Sequence, residues 1–182
     1  MKRTIINFTQ QEMLAYWRMH LNLDPARHGA AITRTDGTDL DAQLLQRISE
    51  WYAAYLASAP IESLPSEDVK NRAAVKYNDD FSVELSLPTD AIAPVAVKLR
   101  SWAAPVTVFH SPSSPEAHLQ LNPYLRGRSA APVAVAYPDR LVLYSAASMT
   151  DRLELLIAAV RPPQGTFILD EASLASIPDR LW

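Results

Sequence analysis

The stretch Asn122–Ala146 carries the side chains of this sequence that are best suited to binding. Its polar loop contains Tyr124, Arg126 and Arg128, and Arg140 follows at a turn. Guanidinium groups bind carboxylates and phosphates through paired hydrogen bonds, and aromatic rings stack on such partners. The loop therefore predicts a contact surface for an acidic partner or a nucleic-acid backbone. A solvated loop with one structural arginine is the alternative.

The other candidate residues do not fall into the spacing of a known catalytic or metal site. The histidines are not spaced as HxH or HExxH, the GxSxG spacing is absent, and the glycines lie too far apart for a phosphate loop. The acidic pairs Glu67/Asp68 and Asp79/Asp80 have the chemistry for general acid–base work, but such pairs are more often solvated loop charges. We therefore predict a protein that is not an enzyme and has no catalytic, cofactor-binding or metal-binding residue.

Tryptophans extend the predicted contact surface beyond the arginine loop. Trp and Arg are enriched in the cores of protein interfaces. Trp102 lies in the turn sequence SWAAP, and Trp182 is the last residue given. Docking of Trp182 on its own chain is the alternative to docking on a partner. The predicted protein-contact residues are Trp102, Asn122, Tyr124, Arg126, Arg128, Arg140 and Trp182.

Composition places the chain among ordinary globular proteins. It has 182 residues, of which 48% are hydrophobic and 20% charged, enough to bury a core. The net charge of -3 argues against a protein that binds nucleic acid mainly by neutralising phosphates. Because there is no cysteine, disulfides, thiol nucleophiles and cysteine-ligated metals are excluded.

Proline and hydrophobic periodicity divide the chain into a helical and a β-rich part. Of the 14 prolines only Pro25 precedes residue 60, and proline is excluded from helix interiors. A capping box at Thr9 and Glu12 predicts a helix over about 10–21, and apolar residues at helical spacing predict a second from Thr38 or Asp39 to Ala59. The segment 22–38 between them shows no period, and we expect disorder or partner-induced structure there.

Alternating apolar and polar residues predict strands in the second part. They occur at 81–87, 95–99 and 106–110, and a turn at Pro138-Asp139 joins 133–137 to 141–144 in a hairpin. Buried or extended segments follow at 153–160 and 166–169, with a short helix capped by Asp170. A further short helix is predicted at 114–121, with Ser114 as its cap and Pro115 in its first position.

These elements predict an α+β fold. N-terminal helices pack on a mostly antiparallel β-sheet body, either a sandwich or an open barrel. We expect residues 1–60 to be the helical part, 61–80 a connector with one helical turn after Ser66, and 81–182 the β-rich body with its short C-terminal helix, all in a single domain.

The ends and apolar runs of the sequence bear on location. The N-terminus lacks the apolar core of a signal peptide, and no apolar run approaches the length that spans a bilayer. We therefore expect no membrane contact and a cytosolic protein, or one inside an assembly built in the cytosol.

Three segments together resemble a family of viral structural proteins. They are LPTDAIAPVAVKLRSWAAPVT at 87–107, LQLNPYLRGRSAAPVAVAYPDRLVLYSA at 119–146, and the closing IPDRLW. This layout is similar to that of head-to-tail adaptor and tail-tube gatekeeper ring proteins of tailed bacteriophages, including the ring proteins of phages that infect gut Bacteroidetes. The resemblance covers about the last hundred residues.

The resemblance implies a structural role in the virion. The chain would assemble as a homo-oligomeric ring between portal and tail, after synthesis in the host cytoplasm, with neighbouring portal and tail proteins as partners. DNA would pass through the ring without specific binding, which suits a mildly acidic protein. The loops 122–130 and 22–38 would contact neighbouring subunits. A monomeric binding module that uses the 122–130 loop is the alternative function, and an enzyme with a site assembled from scattered residues is the third.

Overall fold

The protein has the α+β fold that the sequence predicts. The computed structural model describes residues 4–23 and 39–178. Helices make up 28% and strands 32% of the described residues. The chain divides into two compact units, of which one comprises Met1–Pro65 with Pro162–Trp182 and the other Ser66–Arg161. The units divide after residues 65 and 161, whereas the predicted boundaries lie after residues 60 and 80. The C-terminal segment is grouped with the N-terminal helices and not with the β-rich part.

The first unit begins with a strand that runs directly into a helix. Strand β1 is Ile5–Thr9 and helix α1 is Gln10–His20. The Thr9 hydroxyl accepts a hydrogen bond from the Glu12 backbone N–H, and the Glu12 carboxylate accepts one from the Thr9 N–H at 2.8 Å. The predicted capping box is therefore confirmed. The hydrogen bonds that the Thr9 N–H and then the Thr9 hydroxyl donate to the Glu12 carboxylate lower its pKa below the usual value.

Helix α2 (Leu40–Ser58) is the long element of the first unit. The Asp39 carboxylate accepts from the Asp41 and Ala42 N–H groups at its start, as predicted, and Ala59 is the C-cap before Pro60. The apolar stripe predicted for this helix is buried at Leu44, Ile48, Tyr52, Tyr55 and Leu56.

Tyr52 of α2 binds the edge of a strand in the same unit. Strand β10 (Thr166–Asp170) pairs antiparallel with β1, and the Tyr52 hydroxyl donates to the Ile168 carbonyl at 2.9 Å and accepts from its N–H at 3.0 Å. Tyr52 thus provides the hydrogen bonds that a third strand would provide at this residue. Burial raises the pKa of Tyr52 to about 12.

Two short 3-10 helices complete the first unit. Ile61–Ser63 follows α2, and Glu171–Ser176 follows β10. The Asp170 side chain accepts from the Ala172 N–H, which confirms the predicted cap, although the element is 3-10 rather than α-helical.

The second unit contains two sheets. The first has three strands in the order β2-β9-β5, and the second has five in the order β3-β4-β8-β7-β6, antiparallel except for the β6–β7 pair. The strands are β2 Ser66–Asp68, β3 Ala74–Tyr77, β4 Ser82–Ser86, β5 Ala91–Leu99, β6 Phe109–His110, β7 Val133–Ala136, β8 Leu141–Tyr144 and β9 Leu153–Val160. The β7–β8 pair confirms the predicted hairpin, and β9 the predicted buried strand.

Side chains from both sheets form one core in the second unit. Val83 and Leu85 of β4, Leu143 of β8, Val97 of β5 and Leu156 of β9 belong to one cluster and are fully buried. A core shared by two sheets is the arrangement of a sandwich, one of the two predicted alternatives. The short helix α3 (Pro115–Leu119) begins at its predicted cap, where the Ser114 side chain accepts from the Ala117 N–H at 3.2 Å.

Some predictions of local structure were wrong. The expected connector at 61–80 contains strands β2 and β3, and the expected helical turn after Ser66 is strand β2. Only Phe109–His110 of the predicted strand at 106–110 is a strand, while Val106 forms an isolated bridge with Val97. Most of the segment 22–38 lies outside the described residues. No helix in the described ranges 4–23 and 39–178 is long and apolar enough to cross a membrane.

Candidate protein-contact surface

Leu119, the last residue of helix α3, and the residues that follow it to Arg128 form a loop with many hydrogen bonds, which we call the 119–128 loop. Gln120, which is only 3% exposed, binds both of its ends. The Gln120 Nε2 donates to the Glu116 carbonyl at 2.9 Å, and its Oε1 accepts from the Gly127 N–H at 2.8 Å. Its backbone carbonyl accepts from Arg126 Nε at 2.7 Å. One buried amide side chain therefore holds the loop closed.

Arg126 connects this loop to the turn between β3 and β4. Its Nη1 donates to the Asp80 carbonyl at 2.6 Å, and its Nη2 to the Asp80 carboxylate at 2.9 Å. The guanidinium carbon also lies 5.7 Å from the centre of the Tyr144 ring, a cation–π distance. The hydrogen bonds, the ion pair and the cation–π contact of Arg126 are all made within the second unit, so Arg126 holds the loop in position.

Asp80 is the acidic partner at this junction. Its carboxylate accepts from the Ser82 hydroxyl at 2.6 Å and from the Ser82 N–H at 3.0 Å. These bonds, with the hydroxyl contributing most and Arg126 adding to them, lower the pKa of Asp80 although partial burial acts in the opposite direction. The carboxylate is therefore kept ionised, which preserves its pairing with Arg126.

Gly127 allows the loop to approach the end of strand β8. A Cβ atom there would lie 2.7 Å from Ser145 Oγ and 2.9 Å from the Ala131 carbonyl oxygen. Real side chains do not reach such distances without displacing their neighbours. Ser145 itself has a φ of 124°, a strained value for a residue with a side chain. The junction between loop and sheet is thus close and specific.

The outer side of the 119–128 loop carries apolar side chains. Tyr124 is 91% exposed and Leu121 is 71% exposed, and Leu119 and Leu125 are also about half exposed. Asn122 shapes the turn that presents them, because its Oδ1 accepts from the Tyr124 N–H at 3.0 Å. The loop therefore has polar groups inside and apolar groups outside.

Phe81 adds an aromatic ring beside the loop. It is half exposed and has a φ of 61°, which is unfavourable for a bulky residue. Its backbone N–H donates to the Asn78 carbonyl at 3.0 Å within the β3–β4 turn. Phe81 and Pro123 line the same cavity of about 300 Å³, together with Arg126 and Gly127. The exposed apolar surface thus includes this turn as well as the loop.

The other two predicted arginines have different surroundings. Arg128 is exposed, its backbone forms a bridge with Ala131, and its side chain has no ion pair within the described residues. Arg140 lies in the β7–β8 turn, where Nη1 binds Asp139 at 3.1 Å and the guanidinium lies 4.8 Å from the Tyr137 ring centre. Within residues 39–178, no hydrogen bond joins Arg140 to the 119–128 loop.

One predicted contact residue, Trp102, does not belong to this surface, and the placement of another is not described. Trp102 is only 2% exposed, and its Nε1 donates to the Ser145 carbonyl at 3.0 Å. The prediction for Trp102 is therefore corrected, because its ring fills the core of the second unit and has no face left for a partner. Trp182 lies outside the described residues.

Several residues of the site were not singled out from the sequence as contacts. Asp80 was classed with solvated loop charges, whereas it is the partner of Arg126. Gln120, Leu121, Leu125 and Phe81 were not selected either. Asp80 and Ser82 form a spacing typical of an Asx turn, which is the one local signal that points to a structural role for Asp80. The pairing itself joins residues 46 positions apart and has no local signal.

Comparisons of the chain with protein-family models, curated proteins and solved structures found no match. Within the described ranges, no group of three or more His, Asp or Glu residues is placed to hold a metal ion. What is known of the site is therefore its own geometry: a closed, well-bonded loop with exposed apolar side chains.

Proposed function

We propose that this protein is a structural component of a tailed-phage virion, where it forms a homo-oligomeric ring between portal and tail. The 119–128 loop, with Phe81 beside it, is the surface that contacts a neighbouring subunit. The protein acts by assembly and not by catalysis, in the host cytoplasm and then in the virion.

The single observation that carries this proposal is the inverted polarity of the 119–128 loop. Gln120 and Arg126 are used to hold the loop, while Leu121, Tyr124 and Leu125 are exposed. A group of exposed apolar side chains is typical of a protein–protein contact site. Because hydrogen bonds already order the loop backbone, binding would cost less conformational entropy than for a free loop.

The virion context comes from the sequence resemblance, which includes this loop. The motif NPYLRG at 122–127 is the part of the resemblance that forms the turn carrying Tyr124. A net charge of -3 is suited to a ring that lets DNA pass without strong binding. Both points support a connector role.

The experiment is to determine the assembly state of the purified protein, alone and mixed with portal and tail proteins. We expect rings by electron microscopy and a mass above that of one chain by light scattering. The double variant Leu121→Ser with Tyr124→Ser should weaken assembly about a hundredfold, as expected when residues central to an interface are truncated.

The matched control is Met149→Ser, which removes a half-exposed apolar side chain from another loop of the same unit. It should leave assembly unchanged. A protein that stays monomeric at high concentration, with and without portal and tail proteins, would rule out the ring.

A second candidate is a monomeric module that binds an acidic ligand through the same loop. The observation that favours it is Arg128, which is exposed and has no ion pair within the described part of the chain. This alternative predicts that Arg128→Ala loses a captured partner while the mass in solution stays that of one chain. A ring that survives Arg128→Ala and disappears with Tyr124→Ser would exclude it.

A further inference from the structure

A second cavity lies at the ends of strands β5 and β9, away from the residues assigned to the 119–128 loop. It has a volume of about 370 Å³ and is lined by Arg100 and Ser101 from one segment and by Ala147, Ser148, Thr150, Asp151 and Arg152 from another. Ala147 also lines the cavity beside Phe81, so the two cavities meet at this residue. The proposed ring function uses none of these residues. Both segments belong to the second unit.

Asp151 joins the two walls of this cavity. The residue is buried, and its carboxylate accepts from the Ser101 N–H at 3.2 Å, the Ser101 hydroxyl, the Ala147 N–H at 3.3 Å and the Arg152 N–H at 3.0 Å. Four donors satisfy the acceptor capacity of a carboxylate. Its acceptor positions are therefore used by the cavity walls, and the walls are held together.

Two arginines at the cavity have no acidic partner. The Arg100 N–H donates to the Arg152 carbonyl at 2.8 Å, which places the two residues side by side. Both are exposed, and within 39–178 neither guanidinium forms an ion pair or a hydrogen bond. Neighbouring cations in the same sheet are paired, as Lys98 is with Glu154 at 2.9 Å. Two arginines without an ion pair in the described residues, both lining one cavity, favour an anion there.

Hydroxyl groups complete the donor set. Ser148 Oγ and Thr150 Oγ1 lie 3.1 Å apart, and the Thr150 N–H donates to Ser148 Oγ at 3.3 Å. Because only one proton is used between two hydroxyls, the other remains free to donate to a ligand. Guanidinium forks beside hydroxyl groups match the several acceptor oxygens of a phosphate group.

We infer that this cavity binds a phosphate group, either as the free ion or as a phosphodiester of a nucleic-acid strand. Arg100 and Arg152 supply the charge and the paired N–H donors, while Ser148 and Thr150 supply a hydroxyl donor. Binding is weak, because the arginines are exposed and the whole chain carries a net charge of -3. This inference goes beyond the proposed ring function and does not depend on it.

The test uses two probes on the full chain at constant ionic strength. Inorganic phosphate is titrated against sodium chloride while the amide NMR spectrum is recorded, and a short fluorescent oligothymidylate is titrated while its anisotropy is measured. We expect shifts confined to residues 100–101 and 147–152, or saturable anisotropy, or both. Arg100→Gln and Arg152→Gln, each made alone, should weaken binding about tenfold, since each removes charge-assisted hydrogen bonds.

The matched control is Arg161→Gln, which removes one charge from an exposed arginine of the same unit. It should change binding by less than about twofold, the effect of net charge alone. Shifts with inorganic phosphate identify the free ion, and binding of the oligonucleotide only identifies a nucleic-acid strand. Absence of binding by both probes, or an equal loss in all three variants, would overturn the inference.

Discussion

The β7–β8 hairpin and the 119–128 loop arrange polar and apolar groups in opposite ways. In the hairpin, Leu141 and Leu143 are buried in the core. In the loop, Leu121 and Tyr124 are exposed, and Gln120 is the residue that is buried. The hairpin is what hydrophobic burial produces in a folded chain. The loop is ordered by hydrogen bonds and leaves its apolar groups available, which is the physical basis for assigning contact to the loop and stability to the hairpin.

The largest expected difference between the two regions comes from one substitution made in each. Leu143→Ala should lower the free energy of unfolding by about 2–5 kcal/mol, because the side chain is fully buried and its removal leaves a cavity. Leu121→Ala, the same change at an exposed position, should alter it by less than about 0.5 kcal/mol. Denaturant titration measures both. Equal decreases in the free energy of unfolding for the two variants would show that the hairpin and the loop do not differ in their contribution to stability.

A smaller loss is expected from Arg126→Ala. It removes hydrogen bonds to Gln120 and Asp80 and should lower the free energy of unfolding by about 1.5–3 kcal/mol, the range for hydrogen bonds of charged groups. Arg128→Ala is the control, because it is the same change in the same loop at an exposed residue. If the control is as destabilised as Arg126→Ala, hydrogen bonding at Arg126 does not hold the loop.

Acid should remove the stability that the ionised Asp80 gives to the folded protein. The pKa of Asp80 is lowered in the folded protein, so the stability that Asp80 contributes is present above the pKa of the unfolded chain, near 4. That stability is lost as the pH falls through the folded pKa. Between about pH 5 and pH 2 the free energy of unfolding should therefore decrease, and Asp80→Asn should reduce the slope.

Ser82→Ala is the companion variant for this titration. It keeps the carboxylate but removes the hydroxyl hydrogen bond that contributes most to the low pKa of Asp80. The slope should again be smaller than in the wild type. An unchanged slope in both variants would show that Asp80 does not contribute to acid sensitivity.

The smallest effect on stability is expected at Tyr124. Tyr124→Ala should change the free energy of unfolding by less than about 0.5 kcal/mol, because the ring is almost fully exposed. The same variant should impair assembly in light scattering if the loop is the subunit contact. Tyr124 would thus affect association without affecting folding, whereas Leu143 affects folding. A large loss of stability would show instead that the ring packs within the chain.

Local sequence patterns predicted most of the elements. Capping residues at Thr9, Asp39 and Ser114 gave the starts of the three α-helices in the described ranges correctly, since caps satisfy backbone groups within a few residues. Alternation predicted β4, and the turn at Pro138-Asp139 predicted the β7–β8 hairpin, both from residues close together in the chain. Strand β2 was missed because its exposed, charged residues show no alternation and pair with β9, far along the chain. Strand β3 pairs with the next strand, β4, and was missed because its four mostly exposed residues show no alternation of apolar and polar side chains.

The contact site could be predicted only in part. Tyr124 and Arg128 are exposed in the loop as expected, and Asn122 shapes its turn. Arg126 is a structural clamp, and Trp102 is a core residue. Residue type alone does not distinguish these roles, because Arg and Trp suit an interface and a buried polar or aromatic site equally well.

By itself, the sequence determined where helices, turns and the hairpin form, because these depend on groups a few residues apart. It also predicted contact residues at 122–128. Only the tertiary structure decided that Arg126 pairs with Asp80, 46 residues away, whereas Arg128 forms no ion pair within the described residues. It also decided that Trp102 is buried and that Leu121 and Tyr124 are not. The reason is that exposure and ion pairing are properties of the packed chain, set by residues that no local pattern connects.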